Sequence, residues 1–250
     1  LAKKQVPFEV PRKSQLDERL DSVLEVIYLV FNEGYSATTG DDWMRPALCD
    51  EALRLGRQLA GLMPGEPEVL GLLALMELQA SRTKARMDGR GNPVLLLEQN
   101  RARWDHLQIA RGLAALERAS GLGGAQQPYA LQAAIAACHA RARQAADTDW
   151  VRIAALYAAL ANVMPSPVVE LNRAVAQGMA YGPEAGLALV ETLANDPVLR
   201  DYASLPAVRG DLLQKLGRHE EARAEFERAA GLTLNARTRA LMLARALACH

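Results

Sequence analysis

Apolar residues recur along this chain at helical spacing, and prolines and glycines cut the pattern into short lengths. Leu20, Val23, Leu24, Ile27, Tyr28 and Phe31 follow one face of an α-helix. The run Val26 to Phe31 would suit a strand in isolation, but its flanks keep the helical period, and Gly34 marks the end. Pro46 opens the next helix at its first turn, where a missing N–H costs nothing. Its face is Leu48, Ala52, Leu55, Leu59 and Leu62, and Pro64-Gly65 ends it. Pro67 opens another, led by Leu70, Leu73 and Ala74. The run DGRGNP, 88–93, is a loop. Leu107, Ala110, Leu113 and Leu116 give the face of the helix that follows, and Gly121 to Gly124 makes a second loop.

The same punctuation continues to the end. Pro128 starts a helix with Leu131, Ile135 and Cys138 or His139 facing inward. Asp149 is placed to cap a helix faced by Trp150, Ile153, Tyr157 and Leu160. Ser166-Pro167 is an N-cap and first-turn pair. Pro183 starts a helix bearing Leu187, Val190 and Leu193, Pro197 marks its exit, and a last helix begins near Asn235. The pattern predicts about eleven helices and no strand. Short linkers make neighbouring helices antiparallel. The expected fold class is all-α, antiparallel helical hairpins stacked as a solenoid or superhelical bundle.

Composition narrows the function classes. Half the residues are hydrophobic but only 5% are aromatic, so Ala and Leu carry the apolar content and favour close helix packing. The 29 basic residues balance 29 acidic ones. A chain held on nucleic acid by phosphate neutralisation shows a basic excess, so direct nucleic-acid binding is not expected. Cys49, Cys138 and Cys249 are odd in number and far apart, which argues against a disulfide framework or zinc site and for a reducing, cytoplasmic setting. No apolar run approaches the roughly 18 residues of a membrane span, and the opening residues show no signal-peptide pattern. The opening LAKKQVPFEVP begins at Leu1 and carries two prolines. Residues 1–15 are therefore expected to be an extended linker from an upstream region. Residues 16–250 then form the helical domain, with 121–127 as a candidate subdivision.

The sharpest repeat signal lies near the C-terminus. A tetratricopeptide repeat of about 34 residues needs small residues where its two helices cross and large ones where the next layer docks. Gly210, Leu213, Gly217, Ala222, Phe226 and Ala229 meet that pattern. Weaker echoes are Trp150, Ile153, Ala154 and Tyr157, and the pairs Ala52 with Pro64 and Ala185 with Pro197. Their spacing is irregular, which predicts degenerate hairpins.

Seven stretches in order carry a wider resemblance: VIYLVFNEGY (26–35), DEALRLGRQL (50–59), PEVLGLLALMELQASR (67–82), LEQNRARWD (97–105), PYALQAAIAACH (128–139), DWVRIAALY (149–157) and SPVVELNRAVA (166–176). They resemble the tetratricopeptide-like C-terminal extension of a group of extracytoplasmic-function RNA polymerase sigma factors. The resemblance implies sigma domains upstream of Leu1, and a regulatory role with no catalytic residue to carry over.

Candidate chemistry is sparse. No two of His106, His139, His219 and His250 have metal-ligand spacing, and no nucleophile elbow, Walker loop or dinucleotide fingerprint occurs. No catalytic, cofactor or metal site is assigned, and an enzyme with an interhelical site is the weakest of three readings. His139 is expected to be a hydrogen-bonded core histidine. Gly121, Gly123 and Gly124 lack the lysine and the preceding strand of a phosphate cradle. Asn32, Glu33 and Tyr35 close an apolar helix and are expected to form an internal polar clamp, with Arg54 or Arg82 as partner to Glu33. The stretch 82–105 is the most polar. Arg82, Arg86, Arg101, Arg103, Trp104 and Asp105 are the candidate partner-binding surface, because Arg and Trp anchor interfaces. The expected function is a binding module that regulates transcription through upstream sigma domains, RNA polymerase or a signalling protein or peptide. A free-standing scaffold is the alternative.

Overall fold

A computed structural model describes residues 13–249, with side chains from Arg19 onward. Among these residues there are eleven α-helices and no strand; isolated bridges join Gly40 to Asn235 and Met87 to Pro93. The helices run in order as α1 (Lys13–Tyr35), α2 (Pro46–Leu62), α3 (Pro67–Ala80), α4 (His106–Gly121), α5 (Pro128–Arg141) and α6 (Trp150–Val163). They continue as α7 (Pro167–Tyr181), α8 (Pro183–Leu193), α9 (Ser204–Lys215), α10 (His219–Leu232) and α11 (Ala236–Leu247). None of the described helices is long and apolar enough to cross a membrane. The linker expected at 1–15 lies, up to residue 12, outside the described residues. Residues 13–15 are already helical.

Proline sets the starts. Pro46, Pro67, Pro128, Pro167 and Pro183 each occupy the first turn of a helix. Asp105, Asp149, Ser166 and Asn235 cap α4, α6, α7 and α11 by accepting hydrogen bonds from first-turn N–H groups. Each helix packs on the next, and α3 packs on both α4 and α5. The central helix α3 is buried nearly all round, from Val69 to Ala80, because α1, α2, α4 and α5 surround it. A single apolar cluster of Ala74, Leu78, Ile109, Leu116, Ala130 and Ala137 joins α3, α4 and α5. The stretch 121–127 therefore connects helices of one core rather than dividing two.

The α9–α10 hairpin realises the repeat pattern. Gly217 makes the turn at φ 74°. Leu213, Ala222, Phe226 and Ala229 are wholly buried. A Cβ on Gly210 would stand 2.9 Å from the Phe226 ring, so the aromatic fits only against a bare backbone. Other expectations shift: Val23 of α1 and Leu62 of α2, expected on the buried faces, are exposed. At the α7–α8 crossing the small residue is Gly186 rather than half-buried Ala185, because a Cβ at 186 would lie 2.9 Å from Gly178 Cα. On α4, Leu107 and Ala110 face solvent. Leu116 faces the core as expected, with Ile109, Gly112 and Ala119 beside it. Gly112 lets α4 settle against Leu78 and the Ala74 carbonyl, a contact that selects small residues over Leu.

The chain also closes on itself. Asn235, 2% exposed, uses Oδ1 to cap α11 while its Nδ2 donates to the Asp42 carbonyl at 2.9 Å and the Ala37 carbonyl. The Ala236 N–H donates to the Gly40 carbonyl at 3.1 Å. The last hairpin is thus tied to the α1–α2 loop.

Candidate functional site

The polar stretch between α3 and α4 is not an open docking surface. It folds as a strap with three short 3-10 turns at Thr83–Ala85, Leu96–Glu98 and Arg101–Arg103. Arg86 is 7% exposed. Its guanidinium lies 3.4 Å from the Tyr35 ring centroid and 4.4 Å from that of Trp43, and Nη2 donates to the Tyr35 carbonyl at 2.9 Å. Arg101 is 9% exposed, donates from Nη1 to the His139 and Ala142 carbonyls and from Nη2 to Thr148 Oγ1, and stacks 4.8 Å from Trp104. Trp104 is buried, and Asp105 caps α4 through the N–H groups of Leu107 and Gln108. Of the six expected partner-binding residues, only Arg103 is fully exposed. The physical reason is that a guanidinium can satisfy several backbone carbonyls while stacking on aromatic rings. A stretch that reads as a solvated basic patch therefore serves as an internal staple.

The expected clamp at the end of α1 also has other partners. Glu33 pairs with Arg45 at 2.9 Å and accepts from Thr38, so it ties down the loop after α1. Arg54 instead pairs with Glu51 on its own helix. Tyr35 offers its ring to Arg86 and Arg82. Asn32 points elsewhere, into a hollow.

That hollow gathers several polar side chains from distant helices. It is a cavity of about 470 Å³ walled by α1, α3, α5, α6 and α7 and closed on one side by Leu96 of the strap. Tyr28 spans it, donating its hydroxyl to Gln132 Oε1 at 3.1 Å. Asn32, Gln79 and Asn172 contribute amides, and Leu75, Ile135 and Val169 an apolar floor. No carboxylate among the described residues lines it. Arg82 lines it and joins no ion pair among the described residues, and its buried Nε has no hydrogen-bond partner. Burial pushes the Tyr157 hydroxyl up to about 12.

His139 also lines the hollow, 7% exposed, edge-on to Trp150 with ring centroids 5.2 Å apart. The expected hydrogen-bonded core histidine is buried, but its Nδ1 has no partner. Burial first, then the nearby Arg82 and Arg101 charges, push its pKa down to about 3, so the ring is neutral at ordinary pH. A second hollow of about 390 Å³, between α7, α9 and α11, shares Asn172 with the first; Leu95 borders it, next to Leu96. No group of three or more His, Cys, Asp or Glu comes together as a metal site among the described residues.

The structure also holds a feature that sequence reasoning missed. Glu77, 2% exposed on α3, accepts from Arg57 Nε of α2 at 2.8 Å. A glutamate in an otherwise apolar helix was the available signal.

Residues 19–120 match the model of a family of unknown function, DUF6596. A curated relative, the uncharacterized protein R00370 of Rhizobium meliloti (strain 1021), is 49% identical over 231 residues. The match covers 92% of this chain, and the chain spans about half the length of that relative, 54%.

Proposed function

We propose that this chain is the regulatory, partner-binding module of an RNA polymerase sigma factor. It acts on sigma domains that precede it in the parent protein, and carries out no chemistry of its own. The observation that carries the reading is the ordered resemblance of seven stretches between 26 and 176 to the helical extension of such factors. Two further observations support it. The relative is nearly twice as long as the matched region, as expected of a module within a larger protein. The hollow presents amides, tyrosines and an arginine, groups suited to holding a partner or ligand.

With the arginine strap turned inward, the contact surface moves to α1. Val23, Val26 and Leu29 are 43%, 59% and 58% exposed and spaced three apart, so they form an apolar strip that no described residue covers. Calorimetric titration of this chain with the segment that precedes it in its parent protein tests the reading. Saturable binding, weakened by Val26→Glu in a variant that keeps its melting temperature, is the expected result. Absence of binding both to that segment and to core RNA polymerase overturns it and leaves a free-standing scaffold.

A further inference from the structure

Three guanidinium groups, those of Arg82, Arg86 and Arg101, gather where the strap meets α3 and α5, close enough that the charge of Arg82 bears on both of the others. None of the three takes part in an ion pair among the described residues. Arg86 and Arg101 donate from their Nη groups to backbone carbonyls and rest on the rings of Tyr35, Trp43 and Trp104, although the buried Nε of each, like that of Arg82, has no partner. Arg82 makes no such bond. Its guanidinium stands 5.7 Å from the Tyr35 centroid and 6.0 Å from that of Trp104, its side chain has no hydrogen bond among the described residues, and it faces the 470 Å³ hollow. A partly desolvated cation with no counter-charge is costly, and an anion entering from solvent relieves that cost.

We propose that this hollow is a binding site for a small organic carboxylate, anchored by the Arg82 guanidinium. The planar fork of an arginine matches the two oxygens of a carboxylate. His139 is neutral here, so Arg82 is the one charged group among the described residues that lines the hollow. A single guanidinium fork offers a docking point for one carboxylate head. The amides of Asn32 and Gln79 and the unpartnered Nδ1 of His139 supply further polar contacts. The apolar floor of Leu75, Ile135 and Val169 suits a hydrocarbon body rather than a bare inorganic ion. The proposal rests on the reading of this chain as a binding module and names the ligand class of that module. Leu96 of the strap forms one wall, so a bound acid would touch the same segment that Arg86 and Arg101 staple to the helices.

Benzoate is the probe, with benzamide as its uncharged match in shape and inorganic phosphate as the competing anion, all at fixed ionic strength on the full chain. Expected is a saturable rise in melting temperature with benzoate, half-complete below about 10 mM. The side-chain amide resonances of Asn32 and Gln79 should shift along with it. Benzamide should give neither effect. Arg82→Gln should weaken the response at least roughly tenfold, and Arg82→Lys, which keeps the charge but not the fork, by a smaller factor. Arg103→Gln, on the exposed side of the strap, should leave it unchanged. The proposal is overturned by benzamide acting as well as benzoate, by phosphate binding more tightly, by an undiminished response in Arg82→Gln, or by no saturable response to benzoate. The amide shifts are read on the wild-type chain, so the test survives an Arg82 variant that does not fold. Binding of the upstream segment, measured without benzoate, fails or succeeds independently of these outcomes.

Discussion

The α9–α10 hairpin and the strap between α3 and α4 are both essential packing elements, but they are held by opposite means. The hairpin is cemented by shape: Phe226 sits against bare Gly210, with Ala222 and Ala229 letting the backbones approach. The strap is cemented by polarity, with Arg86 and Arg101 donating to carbonyls that no helix satisfies and resting on aromatic rings. Shape packing is written in a local, periodic code. Polar stapling joins residues far apart in the chain, such as Arg101 with His139 and Thr148, and leaves no period to read.

This contrast can be tested in order of effect. Phe226→Ala empties a fully buried site and should cost roughly 3–5 kcal/mol in denaturant unfolding, unfolding the C-terminal hairpin before the rest. Arg101→Ala should cost about 2–3 kcal/mol, because the His139 and Ala142 carbonyls lose a charged donor. Arg101→Lys should recover little of this, since a point charge cannot serve both carbonyls and Thr148. If Lys rescues fully, charge rather than fork geometry holds the strap.

His139 gives the strap region a pH signature. Its folded pKa, about 3, lies below the ordinary 6.5, so the unfolded chain takes up a proton that the folded chain refuses. Stability should therefore be intact above pH 6.5 and fall as pH drops from there toward 3, by on the order of 1 kcal/mol per pH unit. His139→Gln should flatten that part of the profile relative to the unsubstituted chain; identical slopes would show that the ring titrates normally. The smallest effect expected is at the closure. Asn235→Ala removes a cap and two cross-links to the α1–α2 loop, and should cost about 1–2 kcal/mol and raise amide exchange in the first turn of α11.

Reading the chain from its residues located the helices well and the polar residues poorly. Pro46, Pro67, Pro128, Pro167 and Pro183 open helices as their positions require, and Leu187, Val190 and Leu193 face the core as their spacing requires. On α4, Leu116 turns inward as its spacing requires, but Leu107 and Ala110 do not. At a tight crossing Gly112 decides which side turns inward. The candidate site was legible only in part. The sequence places Arg82 on a candidate partner-binding surface or beside Glu33, not in a hollow. Its partners in the hollow, Tyr28, Gln79, Gln132 and Asn172, come from four different helices and share no motif.

Helix number, boundaries, caps and the α9–α10 crossing follow from neighbours a few residues apart, whose energetics are local: a missing proline N–H, a capping oxygen, a small residue opposite a large one. The inward turn of the arginine strap, the neutral His139, the unneutralised Arg82 and the tie from Asn235 to the first loop depend on groups brought together from distant parts of the chain. Desolvation and hydrogen-bond supply at those meeting points, set by the stacking of all the hairpins, determine whether a charged residue faces water, a carbonyl or an empty hollow.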